Sequence, residues 1–117
     1  MKYFQMREFE CPCCGKNWMN YDTLALLDEA RGRAGIPFVI TSGCRCEAQN
    51  NAIGGSSSSA HLVGRAADIR TTYSRERLRV VRGLLSVGFK RIGIYSGHVH
   101  ADDDPNAPAD VMWRSGK

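Results

Sequence analysis

Two short β-prone runs near the end of the chain, at residues 91–95 and 98–102, most restrict how the chain can fold. They are separated by Ser96 and Gly97 alone. Two-residue connections that contain glycine are typical of tight hairpins, in which the glycine supplies a positive φ. The pattern therefore predicts an antiparallel hairpin with a left-handed residue at Gly97.

Apolar residues at helical spacing predict a helix over about residues 22–34. Its core side is expected to carry Leu24, Leu27 and Ala30. Gly35 follows directly, and glycine at this position is typical of a helix end.

A second predicted helix begins at Ser74, the expected N-cap, and ends near Gly88. Its expected core residues are Leu78, Val81 and Leu85. The opposite side carries arginines at positions 75, 79 and 82. Basic helices can attract nucleic acid, but aromatic stacking groups are not interleaved here, so we expect a solvated face and no nucleic-acid partner.

A β-prone run at residues 38–41 and a run of small residues at 65–69 predict two further strands. This order of elements predicts one α+β domain over residues 1–117, with a small, mainly antiparallel sheet and helices packed on one side. The polar, proline-containing stretch 103–110 is expected to be exposed, with Trp113 folding back onto the domain.

The chain of 117 residues has a formal charge of +4 that is spread over many positions. No stretch approaches the roughly 18 apolar residues of a membrane-spanning helix. Residues 1–7 lack the apolar core of a secretory signal. We therefore expect a monomer without a membrane partner, located in the cytoplasm or released to the cell wall at lysis.

The three histidines lie in two short motifs, one from His61 to Asp68 and one from His98 to His100. Because side chains alternate along a strand, the paired histidines are predicted to project from one face. Histidine nitrogen and aspartate oxygen are zinc ligands, and a catalytic zinc uses three protein ligands. The motifs therefore predict a zinc site formed by His61, Asp68 and one histidine of the pair.

Three segments resemble a known family. Residues 59–68 carry the pattern Ser-x-His-x-x-Gly-x-Ala-x-Asp, residues 98–100 carry His-x-His, and residues 42–45 are similar to a Ser-Gly-Tyr-Arg motif. These patterns are typical of the zinc D-Ala-D-Ala metallopeptidases, which are grouped with lysostaphin-type peptidases and the hedgehog signalling domain. The resemblance extends over about residues 9–113 and points to the small phage-type or bacterial members.

The resemblance implies a role for each matching residue. Its zinc ligands correspond to His61, Asp68 and His100. His98 corresponds to a catalytic histidine beside the reacting carbonyl. Arg45 and Ser59 correspond to residues that hold the substrate.

The chain departs from the family pattern at two positions. Several relatives carry an acidic residue three positions before the last histidine ligand, where this chain has Gly97. This leaves His98 as the expected base or transition-state stabiliser, with Asp102 on the same strand face as the second choice. Cys44 replaces the usual tyrosine in one wall of the pocket.

Five cysteines form a separate pattern. Cys11 and Cys14 form a Cys-x-x-Cys pair, and Cys44-x-Cys46 would complete four thiolates around a second, structural zinc. Disulfides between Cys46 and the cluster at residues 11–14, or free thiols, are the alternatives. Each of these arrangements anchors the opening segment to the loop of Arg45.

The expected function is that of a zinc-dependent peptidase acting by metal-activated water on peptidoglycan peptides that contain D-amino acids. Both a D-Ala-D-Ala carboxypeptidase and a cell-wall endopeptidase fit the sequence. The alternative is a zinc-stabilised binding domain without peptidase activity, as hedgehog relatives illustrate. A purely structural zinc, however, normally has four protein ligands, which argues for the enzyme.

Overall fold

A computed structural model describes residues 1–115 as three α-helices and five β-strands. The helices are α1 (Tyr21–Ala34), α2 (Glu47–Ala52) and α3 (Ser74–Ser86). The strands are β1 (Ile40–Ser42), β2 (Ala66–Arg70), β3 (Arg91–Ile94), β4 (His98–Asp102) and β5 (Val111–Arg114). Short 3₁₀ turns occupy Met6–Phe9 and Ala60–Val63.

The strands form one sheet in the order β1-β2-β4-β3-β5. All pairs are antiparallel except β3 with β5, which are parallel. Strand β2 pairs with β4 along its whole length, so that Asp68 lies opposite His100 and Ala66 opposite Asp102. The predicted α+β fold with a mainly antiparallel sheet is confirmed.

The hairpin of β3 and β4 is confirmed, with the N–H of Tyr95 donating to the carbonyl of His98 over 3.0 Å. The predicted positive φ at Gly97 is wrong, because that residue is absent from the left-handed positions of the backbone. The turn closes without a residue of positive φ. Gly35 does have a positive φ of 70° and caps α1, as the sequence predicts.

Helices α1 and α3 pack against each other, and α3 also packs on β4. Three residues of α1 are buried as predicted, namely Leu24, Leu27 and Ala30. They share one core with Val99 and Ala101 of β4, both fully buried. The inner face of β4 is therefore apolar, which leaves its other face for polar side chains.

The predicted core face of α3 is wrong for two of its three residues, whereas Val81 does pack against the core. Leu78 and Leu85 are exposed, whereas Val80, Gly83 and Leu84 are buried. A Cβ atom at Gly83 would stand 2.6 Å from the carbonyl oxygen of Ala30, so the two helices lie in close contact at this glycine. That close approach turns Gly83 and its neighbours inward, rather than the larger leucines on either side.

The start of α3 also differs from the sequence prediction. Ser74 is the first residue of α3 and Tyr73 occupies the N-cap, where the side chain accepts no capping hydrogen bond. The carboxylate of Glu76 instead accepts from the N–H of Thr72 over 2.6 Å. Within residues 1–115, no helix combines the length and apolar character needed to cross a membrane.

Candidate metal centre

His61, Asp68 and His100 come together on the polar face of the sheet, and their donor atoms all lie within 4.8 Å of one another. His61 stands in the 3₁₀ turn that Gly64 ends with a φ of 71°. Strands β2 and β4 place the other two residues side by side. Asp68 Oδ1 lies 3.3 Å from His61 Nε2 and 3.0 Å from His100 Nδ1.

Each imidazole is held by its other nitrogen. His61 Nδ1 lies 2.8 Å from the carbonyl oxygen of Gly43, an acceptor that makes this nitrogen the donor. His100 Nε2 lies 2.7 Å from Asp102 Oδ2. Metal-binding histidines usually donate their second ring N–H to a carbonyl or a carboxylate. Two nitrogens and one carboxylate oxygen, oriented in this way, fit a zinc ion.

Asp102 is itself held in place. It is 2% exposed, and its second oxygen accepts from Arg91 Nε over 2.7 Å. Burial alone would raise the pKa of Asp102, but the hydrogen bonds from His100 and Arg91 lower it below its ordinary value. Burial likewise opposes the charged form of His100, yet the carboxylates of Asp102 and Asp68 raise the pKa of this histidine.

Asp68 uses its second oxygen for a different partner. Although burial alone would raise it, the pKa of Asp68 is held well below its usual range by His100 and His61. Arg45 Nη2 donates to Asp68 Oδ2 over 3.1 Å, leaving Oδ1 toward the two imidazoles. The guanidinium of Arg45 also donates to Ser42 Oγ over 3.0 Å and to Asn50 Oδ1 over 3.4 Å.

His98 lies beside this centre and not within its three-residue set. Its Nε2 is 3.8 Å from Asp68 Oδ2, its ring stacks on Tyr95 at 4.5 Å between centroids, and 32% of its side chain is exposed. Burial lowers the pKa of His98. The negative charge of Asp68 raises this pKa, but the positive charges of His100 and Arg45 lower it further. A lowered pKa favours the neutral imidazole, which is the form that can accept a proton.

The centre forms the floor of a cleft with a volume of about 1020 Å³. Its walls are the serine-rich loop 54–59, the segment 104–108 and Trp113. Ser59 lines the cleft, and its hydroxyl accepts from the N–H of His61 over 3.2 Å, so it also caps the turn that carries that ligand. The predicted substrate residues Arg45 and Ser59 thus both border the cleft.

The sequence did not predict strand β5, which packs beside His100 and Arg91. Trp113 folds back as predicted, and its ring lies 5.5 Å from that of His100 and 5.1 Å from the guanidinium of Arg91. Its Nε1 donates to Tyr95 Oη over 3.0 Å. Most of the stretch 103–110 is exposed as expected, although residues 103 and 104 are half-buried, and this stretch also contributes to one side of the cleft. The available signal was Trp113, the single aromatic residue that follows the histidine pair.

A second cluster is formed by thiols. The sulfurs of Cys11, Cys14 and Cys46 lie within 4.8 Å of one another, and all five cysteines are free. The predicted partnership of Cys44 with this cluster is wrong, because its buried sulfur lies against the N–H of Trp18 at 3.2 Å. Backbone N–H groups lower the pKa of Cys11 to about 6, although burial alone would raise it.

The chain matches the family model described as Peptidase M15 over residues 2–102. The match covers most of the chain and contains His61, Asp68, His98 and His100. A comparison with curated proteins found no match.

Proposed function

The chain belongs to the peptidase M15 family of zinc-dependent metallopeptidases, and we propose that it hydrolyses peptidoglycan peptides that contain D-amino acids. The observation that carries this proposal is the arrangement of His61, Asp68 and His100. Their donor atoms converge at the floor of an open cleft, and each side chain is oriented by a second partner. Three protein ligands in an accessible cleft are typical of catalytic zinc.

We assign His61 Nε2, Asp68 Oδ1 and His100 Nδ1 as the zinc ligands. When bound, zinc supplies Lewis acidity and makes water a nucleophile at neutral pH. The protein fixes the direction of the ligand atoms through Gly43, Arg45 and Asp102. Because these partners are already in place, little reorganisation is needed for the centre to form.

We assign the proton-transfer role to His98. It borders the cleft, has part of its side chain exposed, and its imidazole makes no hydrogen bond with any side chain of residues 1–115. Asp102, the alternative base, has its oxygens directed to His100 and Arg91 and is almost wholly buried. A base must reach the proton that it takes, and this geometry favours His98.

Arg45 and Ser59 are proposed to hold the substrate at the cleft wall. A guanidinium can engage a carboxylate with two hydrogen bonds, which suits a peptide that ends in a free carboxyl group. The hydroxyl of Ser59 accepts from a backbone N–H, so its own proton is available for a substrate carbonyl. Both side chains border the same cleft as His98.

The test is hydrolysis of purified peptidoglycan, and of a soluble stem peptide ending in D-Ala-D-Ala, by protein with and without a chelator. We expect turnover that the chelator abolishes and that added zinc restores. Release of free D-Ala identifies a carboxypeptidase, and cleavage of a cross-linked muropeptide identifies an endopeptidase. His100→Ala protein is the matched control and should be inactive at every zinc concentration.

The second candidate is a zinc-stabilised binding domain without peptidase activity. Gly97, which stands where several relatives carry an acidic residue, favours it. This candidate predicts saturable, zinc-dependent binding of peptidoglycan peptides with no product formed. Absence of turnover from zinc-loaded protein that still binds these peptides would establish it in place of the peptidase.

A further inference from the structure

We infer that Cys11, Cys13, Cys14 and Cys46 form a second zinc site, separate from the histidine–aspartate centre. Three of these sulfurs already lie within 4.8 Å of one another. Four sulfurs held about 2.3 Å from a tetrahedral zinc stand roughly 3.8 Å apart, so a small contraction around the ion would complete the site. The cluster lies outside the set of residues that the proposed peptidase reaction uses.

The backbone around the cluster is folded as a metal-binding loop requires. The N–H of Cys11 donates to the carbonyl of Lys16 over 2.9 Å, and the N–H of Gly15 donates back to the carbonyl of Cys11 over 2.8 Å. Gly15 has a positive φ of 73°, which closes the loop tightly. The two cysteines at either end of the Cys-x-x-Cys pair are thereby presented on the same side.

A second segment completes the cluster from a distance in the sequence. The N–H of Cys46 donates to the sulfur of Cys11 over 3.3 Å, and Cys46 is the N-cap of α2. A thiolate that accepts backbone N–H groups is stabilised in the charged form that binds metal. Hydrogen bonds of this kind to ligating sulfurs are part of the environment that tunes a metal site.

Cys13 supplies the fourth ligand. It directly precedes Cys14 in the chain and is exposed, so its thiol can turn toward the ion without breaking the core. Cys44 is not a candidate, because its sulfur is buried against the N–H of Trp18. Four closed thiolate ligands are typical of a structural zinc rather than a catalytic one.

The site joins the opening segment to the loop that carries Arg45. The N–H of Cys44 donates to the carbonyl of Phe9 over 2.9 Å, and the N–H of Arg45 donates to the carbonyl of His61 over 3.2 Å. A zinc ion bound by Cys11 and Cys46 therefore links the opening segment to the Arg45 loop close to these two hydrogen bonds. Its effect is to hold Arg45 and the turn of His61 in one arrangement.

Metal stoichiometry tests the inference. Metal-free protein is titrated with Co²⁺ and, separately, with Zn²⁺, and the bound ions are counted for wild type, His61→Ala, Cys14→Ser and the double variant. We expect two, one, one and no ions per chain. Thiolate-to-cobalt charge-transfer absorption should persist in His61→Ala and disappear in Cys14→Ser. Cys14 is exposed, so its replacement leaves the core intact.

Two further variants complete the experiment. Cys44→Ala is the matched control and should keep both ions, since its sulfur is outside the cluster. Cys13→Ser should bind the second ion at least tenfold more weakly, and unchanged affinity and absorption in that variant would overturn the four-thiolate assignment. One ion per wild-type chain, or two ions per chain of Cys14→Ser, would overturn the site altogether.

Discussion

The carboxylate of Asp102 orients His100 but is not one of the three proposed zinc ligands. It accepts from His100 Nε2 and Arg91 Nε, each over 2.7 Å. Asp102→Asn keeps the shape but removes the charge that stabilises the imidazole. Loss of such a partner costs roughly ten- to a hundredfold in metal affinity or activity. We expect weaker zinc binding by that factor, measured by competition with a chromophoric chelator, while exposed Asp110→Asn should bind zinc as wild type does.

His98 and His100 should respond differently to replacement, although both project from one face of β4. His98→Ala should keep its zinc and lose roughly a hundredfold or more in turnover, the scale for removing a positioned base or oxyanion donor. His100→Ala should lose zinc and activity together. Zinc content and turnover are measured on the same samples. Normal turnover by zinc-loaded His98→Ala would exclude His98 as the base, and a slow, zinc-replete Asp102→Asn would give that role to Asp102.

Arg45 is the third residue for which the prediction is specific. Lysine retains a positive charge but cannot make the three separate contacts that the guanidinium makes with Ser42, Asn50 and Asp68. Arg45→Lys should lower the turnover of a peptide with a free carboxyl group at least tenfold. Zinc content at saturating zinc should stay at the wild-type level, since the three ligands remain and lysine keeps a positive charge near Asp68. Unchanged kinetics would remove Arg45 from the substrate site.

The convergence of the two histidines and the aspartate was predictable because it follows from the spacing of the motifs. The separation of His61 from Asp68 and the alternation in β4 are local properties, and the structure brings His61, Asp68 and His100 together. The support from Arg91 was not predictable in the same way. Arginine is common on surfaces, and only the pairing of β3 with β4 reveals that Arg91 lies opposite Asp102.

At the scale of elements, β5 is the strand whose packing is most easily disturbed. A Cβ atom at Gly93 would stand 2.7 Å from the ring of Trp113, so Gly93→Ala forces the indole away from its place. Overpacking of this kind costs about 1–3 kcal/mol. We expect that loss in urea unfolding, together with weaker substrate binding. Gly97→Ala is the control, because a Cβ atom there meets nothing within 4 Å and stability should change by less than about 0.5 kcal/mol.

The elements with strong local patterns were predicted within a few residues, and those that depend on distant contacts were not. Helix α1 has clear periodicity and a glycine cap, and β4 has strict alternation. Strand β5 is short and mostly exposed. It is held at the sheet edge by distant contacts, such as the hydrogen bond from its first N–H to the carbonyl of Lys90, the residue before β3. Which face of α3 points inward depends on the close contact at Gly83. That contact forms only when α3 packs against α1.

For the whole molecule, zinc binding at the histidine–aspartate centre should appear as folding free energy. A ligand that binds only the folded state stabilises it by about 2.7 kcal/mol at a free concentration of 100 times Kd. We expect this increase in thermal or urea unfolding of Cys14→Ser protein, which isolates the centre from the thiol cluster. Adding His100→Ala to the same protein should abolish the increase. An undiminished increase would place the stabilising ion elsewhere.

The family match ends at Asp102, inside the cleft rather than at its edge. The proposed zinc ligands and His98 precede this position, whereas the segment 104–108 and Trp113 follow it. The residues to which we assign the chemistry and the residues that form this wall of the cleft are therefore consecutive in the chain. The segment 104–113 can therefore be replaced in this chain without changing the proposed zinc ligands, which offers a direct route to altered substrate selectivity.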